Sequence, residues 1–236
     1  MVPSTKQRSV AAISDLPEAA IRLLEAAEKL FAERGFADTS IRDLAEAAGV
    51  NVAAVNYYFG DKDRLYLEAL RRALRHQRTS DPPFEAVLEE ARREGTPAAA
   101  ARGLRKYIGL YMGWLFAEES EKGGPCACAL FQREMSSPTP ALDVIVEEFI
   151  EPKSTVLWGL LQQARPELGS DREQLLFHAA SIVGQCLHYR LVLPVILRLH
   201  KKDNFSQEEI RRIAEHIANF TLRGLGLSEA AGQEKG

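Results

Sequence analysis

The chain has 236 residues, 46% of them hydrophobic, with 30 Lys and Arg against 33 Asp and Glu for a formal net charge of −3. That length permits one or two domains with a sizeable core, and it excludes a polybasic chain that binds nucleic acid through composition alone. Three cysteines, Cys126, Cys128 and Cys186, are too few and too odd in number for a disulfide scaffold and point to a reduced compartment.

Residues 1–16, with Lys6 and Arg8, form a loose arm whose apolar content is too short for a signal peptide. A first helix is expected from about Pro17 to Arg34, with Ala20, Leu23, Leu24, Ala27, Leu30 and Phe31 on its buried face and Gly35 ending it. The stretch Thr39 to Lys62, TSIRDLAEAAGVNVAAVNYYFGDK, then reads as two short helices joined by a tight turn. Ser40 and Asp43 have capping-box spacing, and Gly49 sits where a left-handed residue ends a helix. Asn51 is a good N-cap for the next helix, which places Val52, Val55 and Phe59 on one side and Ala53, Asn56 and Tyr57 on the other. This is a helix-turn-helix pattern with a small, polar and aromatic outer face.

A further helix from about Asp61 carries Leu65, Tyr66, Ala69, Leu70, Ala73 and Leu74 and ends in a basic run, Arg71, Arg72, Arg75 and Arg78, read as a solvated last turn. The break at Thr79–Pro83 separates a first domain, 17–78, from a second, 79–227, with 228–236 as a polar tail. The second domain reads as helices throughout. Thr96-Pro97 opens a long one with Leu104, Tyr107, Ile108, Tyr111 and Leu115 in register, and Cys126–Met135 forms a short one. Pro152 is expected to mark a kink or a join in the helical region 140–165, Ser170 with Glu173 to cap a helix bent or broken near Pro194, and Ser206 with Glu209 to cap the last helix. No segment alternates in the strand manner, so the fold class is all-α, with about nine or ten helices. No apolar run approaches the ~20 residues that span a bilayer, so no membrane association is expected.

The residues Ala26-Ala27, Leu30-Phe31, Gly35-Phe36, Thr39 to Ala45, Gly49-Val50-Asn51 and Tyr58-Phe59-Gly60-Asp61-Lys62 with Leu65 resemble the DNA-binding domain of the TetR/AcrR family of bacterial regulators. The chain departs from the common family pattern at Asn56, where many members have tyrosine, and at Tyr58, where many have histidine. Farther on, Arg133-Glu134-Met135 with Pro138, and Gly184, Tyr189-Arg190, Pro194 and Leu197-Arg198-Leu199, resemble a CecR-like subgroup.

The resemblance implies a cytoplasmic, ligand-responsive regulator, most often a repressor, that binds a near-palindromic double-stranded DNA operator as a homodimer. Asn56 would pair with adenine and Ala53 or Ala54 would meet a thymine methyl, while Asn51 and Tyr57 share the reading surface. Thr39, Ser40, Arg42, Tyr58 and Lys62 would bond phosphates. Ala179, Ala180, Gly184, Ile213, Ile217 and Phe220 are expected in the dimer interface. Tyr107, Tyr111, Trp114, Phe131, Trp158 and His178 are candidates for the wall of a largely apolar effector pocket, although any one of them alone is more often plain core.

No cofactor or metal is expected and no catalytic motif is present, so the chain is not read as an enzyme. Two alternatives remain: a metal or redox sensor using Cys126, Cys128 and Cys186, and a helical small-molecule-binding protein without DNA binding. The cysteine spacing lacks the CxxC pair and histidines of a usual zinc set.

Overall fold

The computed structural model describes residues 16–78, 82–117 and 125–227. The expected arm with Lys6 and Arg8, the break at 79–81 and the tail 228–236 lie outside the described residues, as do the side chains of Arg75, Arg78, Cys126 and Cys128. Every regular element among the described residues is helical. In chain order they are α1 (Glu18–Arg34), α2 (Ile41–Ala48), α3 (Val52–Phe59), α4 (Lys62–Arg78), α5 (Phe84–Glu94), α6 (Pro97–Leu115) and α7 (Pro125–Ser136). Then come α8 (Ala141–Ile145), a π-helical turn (Val146–Ile150), α9 (Glu151–Ala164), a 3-10 turn (Pro166–Ser170), α10 (Arg172–Leu191), α11 (Leu193–His200) and α12 (Gln207–Gly224).

The chain divides into two compact units, the first Met1–Thr79 with Glu119–Asp143, the second Ser80–Glu118 with Val144–Gly236. The expected continuous second domain, 79–227, is therefore interrupted. Helix α7 leaves it and packs on α1 and α4.

In the first unit the apolar stripes meet as their spacing requires. Phe31 of α1 is fully buried, its ring 4.9 Å from Tyr66 of α4 in an edge-on arrangement and 6.0 Å from Phe36. Across the same α1–α4 contact lies an ion pair, Glu28 to Arg72 at 3.5 Å, with both side chains largely shielded from solvent. Burial outweighs the attraction of Arg72 and, with help from the Glu25 charge, pushes the Glu28 carboxyl up to about 7. The folded state then holds a proton that the unfolded chain releases near pH 4.5, so stability from this group is full below that pH and falls as pH rises to about 7. Glu28→Gln should flatten this slope. Thermal melts from pH 4.5 to 8 are expected to show the wild type losing roughly 1–3 kcal/mol relative to the variant across that window. Parallel melting curves would contradict it.

In the second unit α6 is central, flanked by α5, α9 and α12. Two glycines allow the close approach of α5, α6 and α9. A Cβ on Gly103 would lie 2.5 Å from Leu160 Cδ2, and one on Gly159 would lie 2.9 Å from both methyls of Leu88. Arg105 of α6 reaches α12, pairing with Glu215 and donating to Asn219 Oδ1 at 2.9 Å.

Most expected boundaries hold. Thr96 accepts from the Ala99 N–H, and Ser206 forms a capping box with Glu209. Pro152 falls in the first turn of α9 directly after the π-helical turn, with Ile150 and Glu151 before it already helical, so it marks a join within one helical run. Pro194 likewise opens α11, and the α10–α11 pair is bent by 72°. One cap is corrected. Asp171, not Ser170, accepts from the backbone of α10, at Gln174, while Ser170 closes the preceding 3-10 turn by donating to Glu167 O. Among the described residues no single helix is long and apolar enough to cross a membrane.

Candidate DNA-reading surface

Helices α2 and α3 are built by local chemistry. Ser40 accepts from the Asp43 N–H at 3.1 Å while Asp43 accepts from the Ser40 N–H at 2.9 Å, closing the capping box. The bonds that Ser40 donates, from its hydroxyl and its backbone N–H, hold the Asp43 carboxyl below its ordinary range. Gly49 adopts φ 63° and ψ 40°, the left-handed conformation that ends α2 and turns the chain into α3. Asn51 Oδ1 then accepts from the Ala53 N–H at 2.9 Å.

Val55 and Phe59 anchor α3 in the core. Outward, Asn51, Ala53 and Asn56 are exposed, Ala54 and Tyr58 are half-buried, and Tyr57 stands 82% exposed with its ring edge-on to Tyr58 at 5.0 Å. Val52, expected inside with Val55, is instead 43% exposed, because it starts the helix before the chain has closed on the core. Ser40 and Arg42 are both exposed beside this face.

Two expected phosphate ligands turn inward. Thr39 is completely buried, and its hydroxyl donates to Gly35 O at 2.8 Å, so it is a turn-former and not a surface donor. Lys62 Nζ donates to Phe36 O at 2.7 Å and Thr39 O at 2.9 Å and lies 4.2 Å from the centre of the Phe36 ring. Two of its three N–H groups thus fasten the start of α4 to the α1–α2 connection.

The effector candidates divide. Tyr107, Tyr111 and Trp114 form a stacked ladder along α6, with centroids 6.0 and 5.7 Å apart, and Phe84 packs 5.0 Å from Tyr107. Burial pushes both tyrosine hydroxyls above their ordinary range. Tyr107 donates to Lys153 O at 3.3 Å, and the Lys153 ammonium sits 5.3 Å from the Trp114 ring centre. The buried Trp114 indole N–H has no hydrogen-bond partner among the described residues. Trp158 packs against the same core, and His178 is half-buried on α10. Phe131 does not belong with them. It lies on α7, in the first unit. A cleft of about 670 Å³ in that unit, lined by Phe36, Tyr66, Gln132 and Arg133 among others, includes none of the six.

The dimer candidates also divide. Ala179 and Ile217 are buried in the core of their own unit, and Ile213 is partly buried against it. Ala180 and Gly184 face outward, as does Phe220 at 63% exposure. Leu176 and Phe177, which the sequence reading missed, join them on the outer side of α10, Phe177 at 55% exposure. Their signal was legible: α10 is apolar on two opposite sides, one more than its own core needs. Cys186 is buried in the core, and burial pushes its thiol up to about 12, which removes it from thiolate chemistry near neutral pH.

A regulator-type helix-turn-helix carried on a larger helical unit is what comparison with known proteins also finds. The pattern described as "Bacterial regulatory proteins, tetR family" matches residues 23–69, and that of the "HTH-type transcriptional dual regulator CecR, C-terminal domain" matches residues 104–225. The chain belongs to the TetR family and carries a CecR-type C-terminal domain. It is similar to the dual regulator CecR of Shigella flexneri, 27% identical over 86% of this chain and 91% of that protein. It is also similar to the transcriptional regulator RutR of Escherichia coli K12, 30% identical over 61% of this chain and 62% of RutR. Among solved structures, the TetR-family regulator PfmR of Thermus thermophilus shares the fold with a TM-score of 0.54 at 20% identity, covering 96% of this chain and all of that one. Like its relatives, this TetR-family chain is a DNA-binding transcriptional regulator and not an enzyme.

Proposed function

We propose that this regulator is a homodimeric, cytoplasmic repressor that reads a near-palindromic operator with α3 in the major groove. A small, largely apolar effector held in the second unit would release it. The observation that carries the reading is the outer face of α3: Asn56 and Tyr57 stand in solvent while Val55 and Phe59 hold the helix from behind. Eight residues at about 1.5 Å each give a helix about as long as the groove is wide. Asn56 is the adenine reader, and Ser40, Arg42 and Tyr58 are the phosphate ligands. Asn51 contributes its cap and a side-chain amide beside the groove.

A lone helix-turn-helix reads few base pairs, so two copies about 34–36 Å apart are needed. The outward apolar face of α10 and α12, with Leu176, Phe177, Ala180, Gly184 and Phe220, supplies a surface on which a second copy fits. For the effector, the aromatic ladder on α6 offers apolar walls, and the unpartnered Trp114 N–H offers a donor to a ligand acceptor. The effector then acts by preferring the conformation that spaces the two recognition helices wrongly.

The test is operator titration by fluorescence anisotropy, using duplex selected by the protein from the DNA upstream of its own gene. Asn56→Ala should weaken binding by about tenfold or more and relax preference at one position of each half-site. Arg42→Ala should weaken binding on all sequences and lower the salt slope by about one. Undiminished affinity in both variants would sink the assignment of α3 as the reading helix.

A further inference from the structure

Helix α7 lies about seventy residues beyond the helix-turn-helix in sequence, yet it is fastened to the same unit by two consecutive side chains. Arg133 Nε donates to Ala32 O at 2.9 Å, and its Nη2 donates to Glu33 O. These carbonyls belong to the last turn of α1, where no intrahelical donors remain and the helix dipole is negative. Gly35 ends that helix at φ +87°, and a Cβ there would lie 3.0 Å from Arg133 Nη1. The glycine both turns the chain and leaves room for the guanidinium.

Glu134 is the other attachment. It is completely buried, a costly position for a carboxylate without partners. Its oxygens accept from the Thr139 N–H at 2.8 Å and the Thr139 hydroxyl at 3.2 Å. The Tyr66 hydroxyl of α4 lies beside it, pushed above its ordinary range by burial and then by the Glu134 charge. Tyr66 in turn packs on Phe31 and on Phe36, and Lys62 fastens the start of α4 to Phe36 O and Thr39 O. Helix α3 passes into α4 through only Gly60 and Asp61. The placement of α1 and α4 therefore sets the direction in which α3 points.

We propose that Arg133 and Glu134 are positioning residues for operator binding: with Arg133 bonded to the end of α1 and buried Glu134 set beside Tyr66 where α7 packs on α4, they fix the orientation of the recognition helix without touching DNA. The proposal rests on α3 being the reading helix. Helix α7 continues through Ser137–Pro140 and α8 into the π-helical turn and α9 of the second unit, so the same two residues stand on the chain path between effector domain and operator reader.

The experiment is operator titration of the full-length protein over a range of salt concentrations, with active fraction fixed by stoichiometric titration. Arg133→Ala and Glu134→Ala should each weaken operator binding by about tenfold while leaving the salt slope unchanged. Arg133→Lys and Glu134→Gln, which keep a donor and an acceptor in place, should recover most of the loss. Tyr66→Phe, which removes one hydroxyl and little volume, carries the test should an alanine variant fail to fold. It should weaken binding severalfold at constant slope.

Wild-type affinity in folded Arg133→Ala, Glu134→Ala or Tyr66→Phe would overturn the proposal. So would a salt slope lowered by about one in Arg133→Ala, which would make Arg133 a phosphate ligand. Asn56→Ala and Arg42→Ala run alongside separate the two readings. If they weaken binding and the α7 variants do not, α3 reads DNA and α7 does not position it.

Discussion

Phe177→Glu combined with Phe220→Glu is expected to leave a folded monomer that no longer holds a two-half-site operator. Both rings stand more than half exposed, on α10 and α12, and α10 also presents Leu176, Ala180 and Gly184. Neither ring contributes to the core of its own unit, whose α10 positions are filled by Leu175, Ala179, Ile182 and Cys186 and whose α12 positions by Ile210, Ala214, Ile217, Ala218 and Leu222. The variant should therefore fold with an unchanged melting temperature at concentrations where the wild type is monomeric. In a dimer, four such rings would be buried, each contributing roughly 2 kcal/mol before the cost of association. Four carboxylates in their place would face one another across the seam and have to be desolvated. Light scattering after size exclusion should show one chain per particle. Operator affinity should fall by at least about 100-fold, because the second half-site is no longer linked to the first. Affinity for a single half-site should be unchanged. A variant that remains dimeric would move the interface off the α10–α12 face.

Phe31→Ala is expected to unfold the DNA-reading unit and spare the other. Phe31 is fully buried and is the ring on which Phe36 and Tyr66 converge. Truncating such a ring costs about 3–5 kcal/mol, much of the roughly 5–15 kcal/mol that holds a typical domain together. The consequence can be observed unit by unit, because both tryptophans, Trp114 and Trp158, lie in the second unit. Tryptophan fluorescence should melt as in the wild type, while helix content by circular dichroism should show an earlier, separate loss and operator binding should disappear. A single coincident transition shifted as a whole would mean that the two units unfold as one.

The two variants also show where sequence and tertiary structure each decide. The helix-turn-helix was legible because its determinants are local. The Ser40–Asp43 capping box, the left-handed Gly49 and the Asn51 cap are fixed by residues within a few positions of one another, as is the burial of Leu44, Ala45, Val55 and Phe59 by helical periodicity. The same holds for the all-α class and for the Thr96 and Ser206 caps.

What the sequence left undecided was which way a side chain of suitable chemistry faces once helices meet. Thr39 and Lys62 have the donors of phosphate ligands, but a turn carbonyl and the end of the α1–α2 connection claim them. Val52 has the character of a core residue and lies outside. Ala179 and Ala180 are adjacent and identical, yet one faces the core and the other solvent, because successive residues lie about 100° apart around a helix. Helix α7 is the largest such case. Its own periodicity demands a partner without naming one, and only the close approach of Arg133 to the end of α1 and of buried Glu134 to Tyr66 places it with the DNA-reading unit. The sequence by itself determined the helices, their caps and the kind of surface α3 presents. The tertiary structure decided which donors remain free to meet DNA, since that depends on carbonyls and rings brought in from tens of residues away.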